Sequence, residues 1–128
     1  LSKKVSKLKN DLGLEDCIIM PGFEREPLPL MASADLLVLS SAFEGFGNVI
    51  VESFSVGTPV VSTDCPHGPN EIISNSSFGI LAKVKDPVSI ANAIKKSFSM
   101  SYNEESLKSR ADDFSVELAA KKYLRTII

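Results

Sequence analysis

The chain has 128 residues, 44% of them hydrophobic, and a formal net charge of −2. This length and composition allow one domain with a continuous core. The charge argues against a nucleic-acid partner, because binding to a phosphate backbone needs clustered Lys and Arg. The two cysteines are far apart and there is one histidine, a pattern that predicts neither a disulfide framework nor a zinc site.

The first part of the chain alternates helical and apolar segments. Apolar residues at helical spacing predict helices, and short apolar runs closed by turn formers predict buried strands. In chain order we expect a helix with Val5, Leu8 and Leu12 on one face, ended by Gly13, a strand over Cys17–Met20, a short helix through Leu30, Met31 and Ala34, and a strand over Leu36–Leu39.

The second part continues this alternation. The Asp86-Pro87 pair predicts a helix start, with Asp86 as N-cap and Ile90, Ala93, Ile94 and Phe98 facing inward. The other expected elements are a helix over Val49–Val56 ended by Gly57, strands over Val60–Thr63 and Gly79–Ala82, the latter at or near a sheet edge, and helices over Asn70–Ile73, Glu104–Asp113 and Val116–Ile127.

Short strands that alternate with helices predict an α/β fold, a Rossmann-like parallel sheet with helices on both faces. We expect a single domain over residues 1–128, with an α/β core over 1–113 and a C-terminal helix over 114–128. In such sheets ligands bind at the carboxyl ends of the strands. The loops that follow Leu39 and Thr63 both lie at such ends.

The segment from Glu44 to Glu52 places two carboxylates around a glycine-bearing turn that opens an apolar helix. The first turn of a helix has unpaired N–H groups and partial positive charge, where a diphosphate can bind. Glycines at 45 and 47 let a ligand approach the backbone. Glu44 precedes the helix and Glu52 lies about one and a half turns inside it, so their separation along the axis should be ~8 Å at ~1.5 Å per residue. A diphosphate fits between them, with Glu44 accepting hydrogen bonds from sugar hydroxyls and Glu52 from ribose hydroxyls.

These residues resemble a known family. Glu44-x7-Glu52, with Glu-Gly-Phe-Gly at its start and Gly57-Thr58-Pro59-Val60-Val61 after it, is similar to the signature of retaining GT-B glycosyltransferases of family 4. Gly22-Phe23, the Ala34–Ser41 run and Gly79-Ile80-Leu81 resemble the same family in the same order, so the likeness covers most of residues 1–98. The stretch Asp64–Glu71 further resembles a bacterial subgroup that acts on surface polysaccharide or lipid-linked oligosaccharide, commonly with UDP-sugar donors.

The resemblance implies retaining transfer of a hexose from a nucleotide-diphosphate sugar, expected to be a UDP-sugar, to a saccharide or lipid-linked acceptor. It implies that Glu44 is catalytic and holds the donor sugar, that the amides of Gly45 to Asn48 meet sugar and phosphate, and that Glu52 holds the ribose. The base would lie against the backbone near Pro21, Gly22 and Phe23. The predicted donor-binding residues are Gly22, Phe23, Glu44, Gly45, Phe46, Gly47, Asn48, Val49 and Glu52. No cofactor or metal is expected, because Lys or Arg and helix dipoles would meet the phosphate charge.

Two departures from the family pattern limit what this chain should do alone. The family's Arg/Lys pair for the diphosphate belongs to an earlier strand–helix unit, and the acceptor-binding N-terminal domain is also absent from this sequence. We therefore expect a piece of a longer protein, the C-terminal half of a GT-B fold without its first strand–helix unit, with little or no activity by itself.

Two other functions are alternatives to this interpretation of the residues. A GT-B sugar-nucleotide epimerase or phosphorylase-like half would use similar geometry. A non-catalytic α/β interaction module, such as a receiver-like domain, would have acidic residues at the end of its first strand. Met20-Pro21 ends the first predicted strand here without acids, which disfavours the receiver-like alternative.

The expected location is the cytoplasm. Apolar stretches are far shorter than the ~20 residues of a membrane span, and the cysteine usage fits a reducing compartment. Basic residues cluster near both ends of the chain, as solvated helix faces or as a peripheral contact with the anionic inner face of the cytoplasmic membrane. They are Lys3, Lys4, Lys7 and Lys9, and Lys121, Lys122 and Arg125.

Overall fold

A parallel sheet lies between helices in the computed structural model, which describes residues 2–127. The elements of this part of the chain are α1 (Ser2–Asp11), α2 (Pro27–Ala32), β1 (Leu37–Leu39), α3 (Asn48–Ser55), β2 (Val60–Thr63), α4 (Pro69–Ile73), β3 (Gly79–Ala82), α5 (Pro87–Phe98), α6 (Glu104–Asp112) and α7 (Val116–Ile127).

The three described strands are parallel and lie in the order β1-β2-β3. Val60 of β2 pairs with Leu37 on one side and with Gly79 on the other, so β2 is central and every one of its residues is buried. The edge position predicted for Gly79–Ala82 is confirmed, because β3 pairs with β2 alone.

Successive residues of each strand point to opposite faces of the sheet, and each face has its own core. On one face Val60 packs with Ile50 of α3, Ile72 of α4 and Leu107 of α6. On the other face Val61 packs with Ala93 of α5. Helices therefore cover both faces, as the sequence predicted.

Helix α5 begins as its sequence predicts. The carboxylate of Asp86 accepts a hydrogen bond of 2.9 Å from the N–H of Ser89, and Pro87 occupies the first helical position. The side chain thereby satisfies one of the backbone donors that a helix start leaves unpaired.

The strand predicted over Cys17–Met20 is wrong. This segment has turn and irregular backbone, and Ile19 is 86% exposed. An apolar run becomes a strand only when a neighbouring strand accepts and donates its backbone hydrogen bonds. The described residues provide no such neighbour for this run.

The inward orientation predicted for Phe98 is also wrong, since its side chain is 65% exposed. A helix turns by about 100° per residue, which rotates Phe98 about 80° from Ile90 and farther from Ala93. Ser97 occupies the inward position instead, buried and hydrogen-bonded at 2.9 Å to the hydroxyl of Tyr102.

Candidate functional site

The predicted ligand loop leaves the carboxyl end of β1. Its start is held by Thr63, the last residue of the neighbouring strand β2, which is fully buried. The Thr63 hydroxyl donates a hydrogen bond of 2.5 Å to the carbonyl of Ser41. This bond fixes the path of the chain just before Glu44, whose side chain is half-buried.

The loop ends at Gly47, which opens α3 in a left-handed conformation with φ of 91°. Gly47 is buried, and a Cβ there would come within 3.3 Å of Ile50 Cδ1. No side chain caps the start of α3. Asn48 is the first helical residue and Gly47 is the cap, so the side chain of Asn48 does not cap α3.

A second loop, Asp64–Gly68, leaves β2 and packs directly against the first. Gly68 is buried with φ of 102°, and a Cβ at this position would overlap the carbonyl of Phe46. Only glycine allows both the backbone conformation and this close approach. The backbone of Phe46 is therefore supported by the residue that precedes α4.

A cleft of about 240 Å³ lies beside the start of α3. It brings three predicted residues together, Phe46, Asn48 and Glu52, and its remaining lining residues are Val51, Ser55 and Phe114. Asn48, Val51, Glu52 and Ser55 share this side of α3 because they are spaced by three and four residues. Glu52 is exposed, so its carboxylate is available to a ligand.

The other predicted residues lie around this cleft or apart from it. Glu44 and Gly45 precede its lining, and the space at Gly45 is open. The side chain of Val49 packs against the core, which leaves its backbone for a ligand. Gly22 and Phe23 belong to the segment between α1 and α2, where Phe23 is 94% exposed, and neither lines the cleft.

Phe114 and Ser55 were not predicted from the sequence, yet both line the cleft. Ser55 could have been found from its helical spacing to Asn48 and Glu52. Phe114 lies between α6 and α7, and nothing in the local sequence connects it to a loop almost 70 residues earlier. The same holds for Arg110, which contacts the Phe114 ring.

The charge of the cleft is acidic. Its lining has one carboxylate and neither Lys nor Arg. Among residues 2–127 no group of acidic, His or Cys side chains is arranged to hold a metal ion. Within the same range, no helix combines the length and the apolar character needed to cross a bilayer.

Comparison with models of known families identifies the family of this chain. The family model for glycosyl transferases group 1 matches residues 2–99. The chain belongs to this family. The Glu44–Glu52 segment and both loops at the carboxyl ends of β1 and β2 lie inside the matched range.

Two curated relatives and one solved structure illustrate the similarity. N-acetylgalactosamine-N,N'-diacetylbacillosaminyl-diphospho-undecaprenol 4-alpha-N-acetylgalactosaminyltransferase of Campylobacter jejuni is 33% identical over 95 residues, which are 74% of this chain and 26% of that protein. The lipopolysaccharide core biosynthesis glycosyltransferase LpsE of Rhizobium meliloti is 37% identical over 90 residues, 70% of this chain and 26% of that protein. Anabaena HepE in complex with UDP matches with a TM-score of 0.84 and 27% identity, over 98% of this chain and 36% of that one.

These findings confirm the glycosyltransferase family and the GT-B fold that the sequence motifs predicted. The chain spans about a quarter of the length of the curated relatives it matches. The nucleotide, the reaction mechanism and the acceptor are therefore properties of the complete protein.

Proposed function

We propose that this chain is the donor-binding half of a retaining glycosyltransferase of family 4, which transfers a hexose from a UDP-sugar to a saccharide or lipid-linked acceptor. The observation that carries the proposal is the start of α3, which no side chain caps and which has the exposed Glu52 on the side that lines the cleft. A relative with the same fold, HepE, was solved with UDP. The name of the C. jejuni relative specifies sugar transfer to a diphospho-undecaprenol-linked saccharide.

The two ends of the Glu44–Glu52 segment have different roles. Glu44 holds the donor sugar, while the amides of Gly45 to Asn48 meet the sugar and the diphosphate. Glu52 accepts hydrogen bonds from the ribose hydroxyls, and these bonds are strong because the acceptor is charged. The base lies against the backbone near Pro21, Gly22 and Phe23.

Catalysis in this proposal is electrostatic. Charge develops on the sugar ring and on the leaving diphosphate in the transition state, and fixed groups already aimed at those positions lower the barrier. The carboxylate of Glu44 stabilises the positive sugar, and the N–H groups and dipole of α3 stabilise the diphosphate. Donor binding needs no metal, because cationic side chains elsewhere in the complete protein supply the remaining phosphate contacts.

The acceptor binds to another part of the complete protein, so this chain alone has little or no transferase activity. We place the protein in the cytoplasm, with peripheral contact at the inner membrane face where a lipid-linked acceptor is available. The basic residues of α1 and α7 are the candidates for that contact, because anionic lipids attract clustered Lys and Arg.

Product analysis on the complete protein tests the reaction. Incubation with a UDP-sugar and a lipid-linked acceptor should yield a glycosylated acceptor with the anomeric configuration of the donor, measured by NMR. Glu44→Gln should lower kcat by about 100-fold or more, as expected for loss of a group that stabilises transition-state charge, while Glu105→Gln on α6 leaves it unchanged. Conversion of the UDP-sugar to its epimer without acceptor glycosylation would instead identify an epimerase.

A further inference from the structure

Arg110 of α6 connects two elements that are far apart in sequence. Its Nε donates a hydrogen bond of 3.0 Å to the carbonyl of Ile72, and its Nη2 donates one of 2.6 Å to the carbonyl of Glu71. These carbonyls lie at the end of α4, where a helix leaves its last acceptors unpaired. The planar guanidinium presents two N–H donors in a fixed fork, one to each carbonyl.

The same guanidinium supports an aromatic pair. Its central carbon lies 4.7 Å from the centre of the Phe114 ring, and Nη1 bonds Asp113 at 2.8 Å, which holds its plane. The Phe114 ring in turn meets the Phe46 ring edge to face, with centres 5.6 Å apart and planes at 61°. Both arrangements are favourable for aromatic rings, whose faces are negative and whose edges are positive.

The two connections meet at Phe46. One runs from Arg110 through Phe114 to the Phe46 ring. The other runs from Arg110 through α4 to Gly68, whose α-carbon lies against the Phe46 carbonyl. Phe46 is thus held by its side chain and by its backbone, and it is the residue between the two glycines of the predicted ligand loop.

We propose that Arg110 and Phe114 are positioning residues that hold the loop Glu44–Gly47 in its ligand-ready conformation before the nucleotide binds. This inference rests on the proposed function, because it concerns the same site. A loop with glycines at 45 and 47 has many accessible conformations. A protein whose binding-competent state is only partly populated binds its ligand more weakly by that fraction. Arg110 and Phe114 keep that fraction high.

Hydrogen–deuterium exchange on the complete protein without nucleotide tests the proposal directly. Phe114→Leu removes the ring that contacts Phe46, so the amide of Ile50, which donates a hydrogen bond to the carbonyl of Gly47 at the end of the loop, should exchange about tenfold faster, while those of β2 keep their rate. Phe114→Tyr keeps the aromatic ring, so this variant should exchange at the wild-type rate. Phe98→Leu is the matched control, because Phe98 is 65% exposed and is not part of this contact chain.

Binding provides a second measurement. The dissociation constant for UDP, measured by calorimetry, should rise about tenfold in Phe114→Leu and stay unchanged in Phe98→Leu. Arg110→Lys should accelerate exchange of the Ile50 amide and also at the end of α4, because lysine lacks the planar fork that bonds the two carbonyls. This variant decides the question if Phe114→Leu does not fold.

Wild-type exchange of the Ile50 amide in Phe114→Leu would overturn the proposal. Uniform acceleration across the sheet as well as the loop would also overturn it, because that pattern reports a loss of global stability alone. A wild-type protein that binds no UDP would contradict the proposed function, while the exchange rates would still decide whether these residues position the loop.

Discussion

Gly68 and Phe46 are in close contact where the two loops meet at the carboxyl edge of the sheet. Both residues are far apart in sequence, so this approach depends on the tertiary fold. In our proposal the amides of residues 45 to 48 bind the ligand. Gly68 helps to position them although it does not contact the ligand itself. Substitution of Gly68 should therefore affect both stability and the geometry of the loop.

Gly68→Ala should destabilise the complete protein by more than the ~1–3 kcal/mol that a sparsely populated backbone conformation costs a residue with a Cβ, because Gly68 has φ of 102° and ψ of −67°. The added methyl group would overlap the Phe46 carbonyl. Gly13→Ala is the matched control, because Gly13 also has a positive φ, of 65°, with nothing within 4 Å of the added atom. Urea denaturation measures both changes. Equal losses in the two variants would mean that the overlap with Phe46 has no energetic consequence.

The sequence predicted several residues of the site because their signals are local. Gly47 precedes an apolar helical pattern, and Glu52 follows Glu44 at the spacing of a known family motif. Phe114 and Arg110 had no such signal, because their partners are Phe46 and the carbonyls of α4. A ring that supports a loop from a distant helix is chosen by packing, and packing is not visible in one sequence.

At the level of elements, the start of α5 is stabilised by the side chain of Asp86. Asp86→Ala should lower the free energy of unfolding by about 0.5–2 kcal/mol, because the N–H of Ser89 loses its acceptor. Asp86→Asn keeps an acceptor oxygen at this position and should retain most of the stability. Thermal unfolding of the complete protein compares the two. If the asparagine variant were as unstable as the alanine variant, the cap would not explain the effect.

The same contrast between local and distant signals explains which elements were predicted. The strands near Leu37, Val60 and Gly79 were predicted correctly, and each of these apolar runs has a partner strand in the sheet. The run at Cys17–Met20 is also apolar, yet no described strand pairs with it and it is not a strand. Composition predicts the tendency to form a strand, while the neighbouring strand decides whether it forms.

At the scale of the whole molecule, we propose that the cleft beside α3 is one side of a larger active site in the complete protein. The chain covers about a quarter of its curated relatives, and its cleft has a carboxylate but no Lys or Arg. Acidic side chains can hold the hydroxyls of a sugar or ribose, but a diphosphate also requires cations. The proposal assigns those cations to the rest of the protein and assigns the ribose to Glu52.

Calorimetric titration of the complete protein with UDP, in the presence of EDTA, tests this central claim most directly. Wild-type protein should bind UDP without metal. Glu52→Gln should bind it about 10- to 100-fold more weakly, because a hydrogen bond to a charged group contributes about 1.5–3 kcal/mol. Glu105→Gln, an exposed carboxylate on α6, is the control and should bind as wild type does. Unaltered UDP affinity in Glu52→Gln would contradict the account.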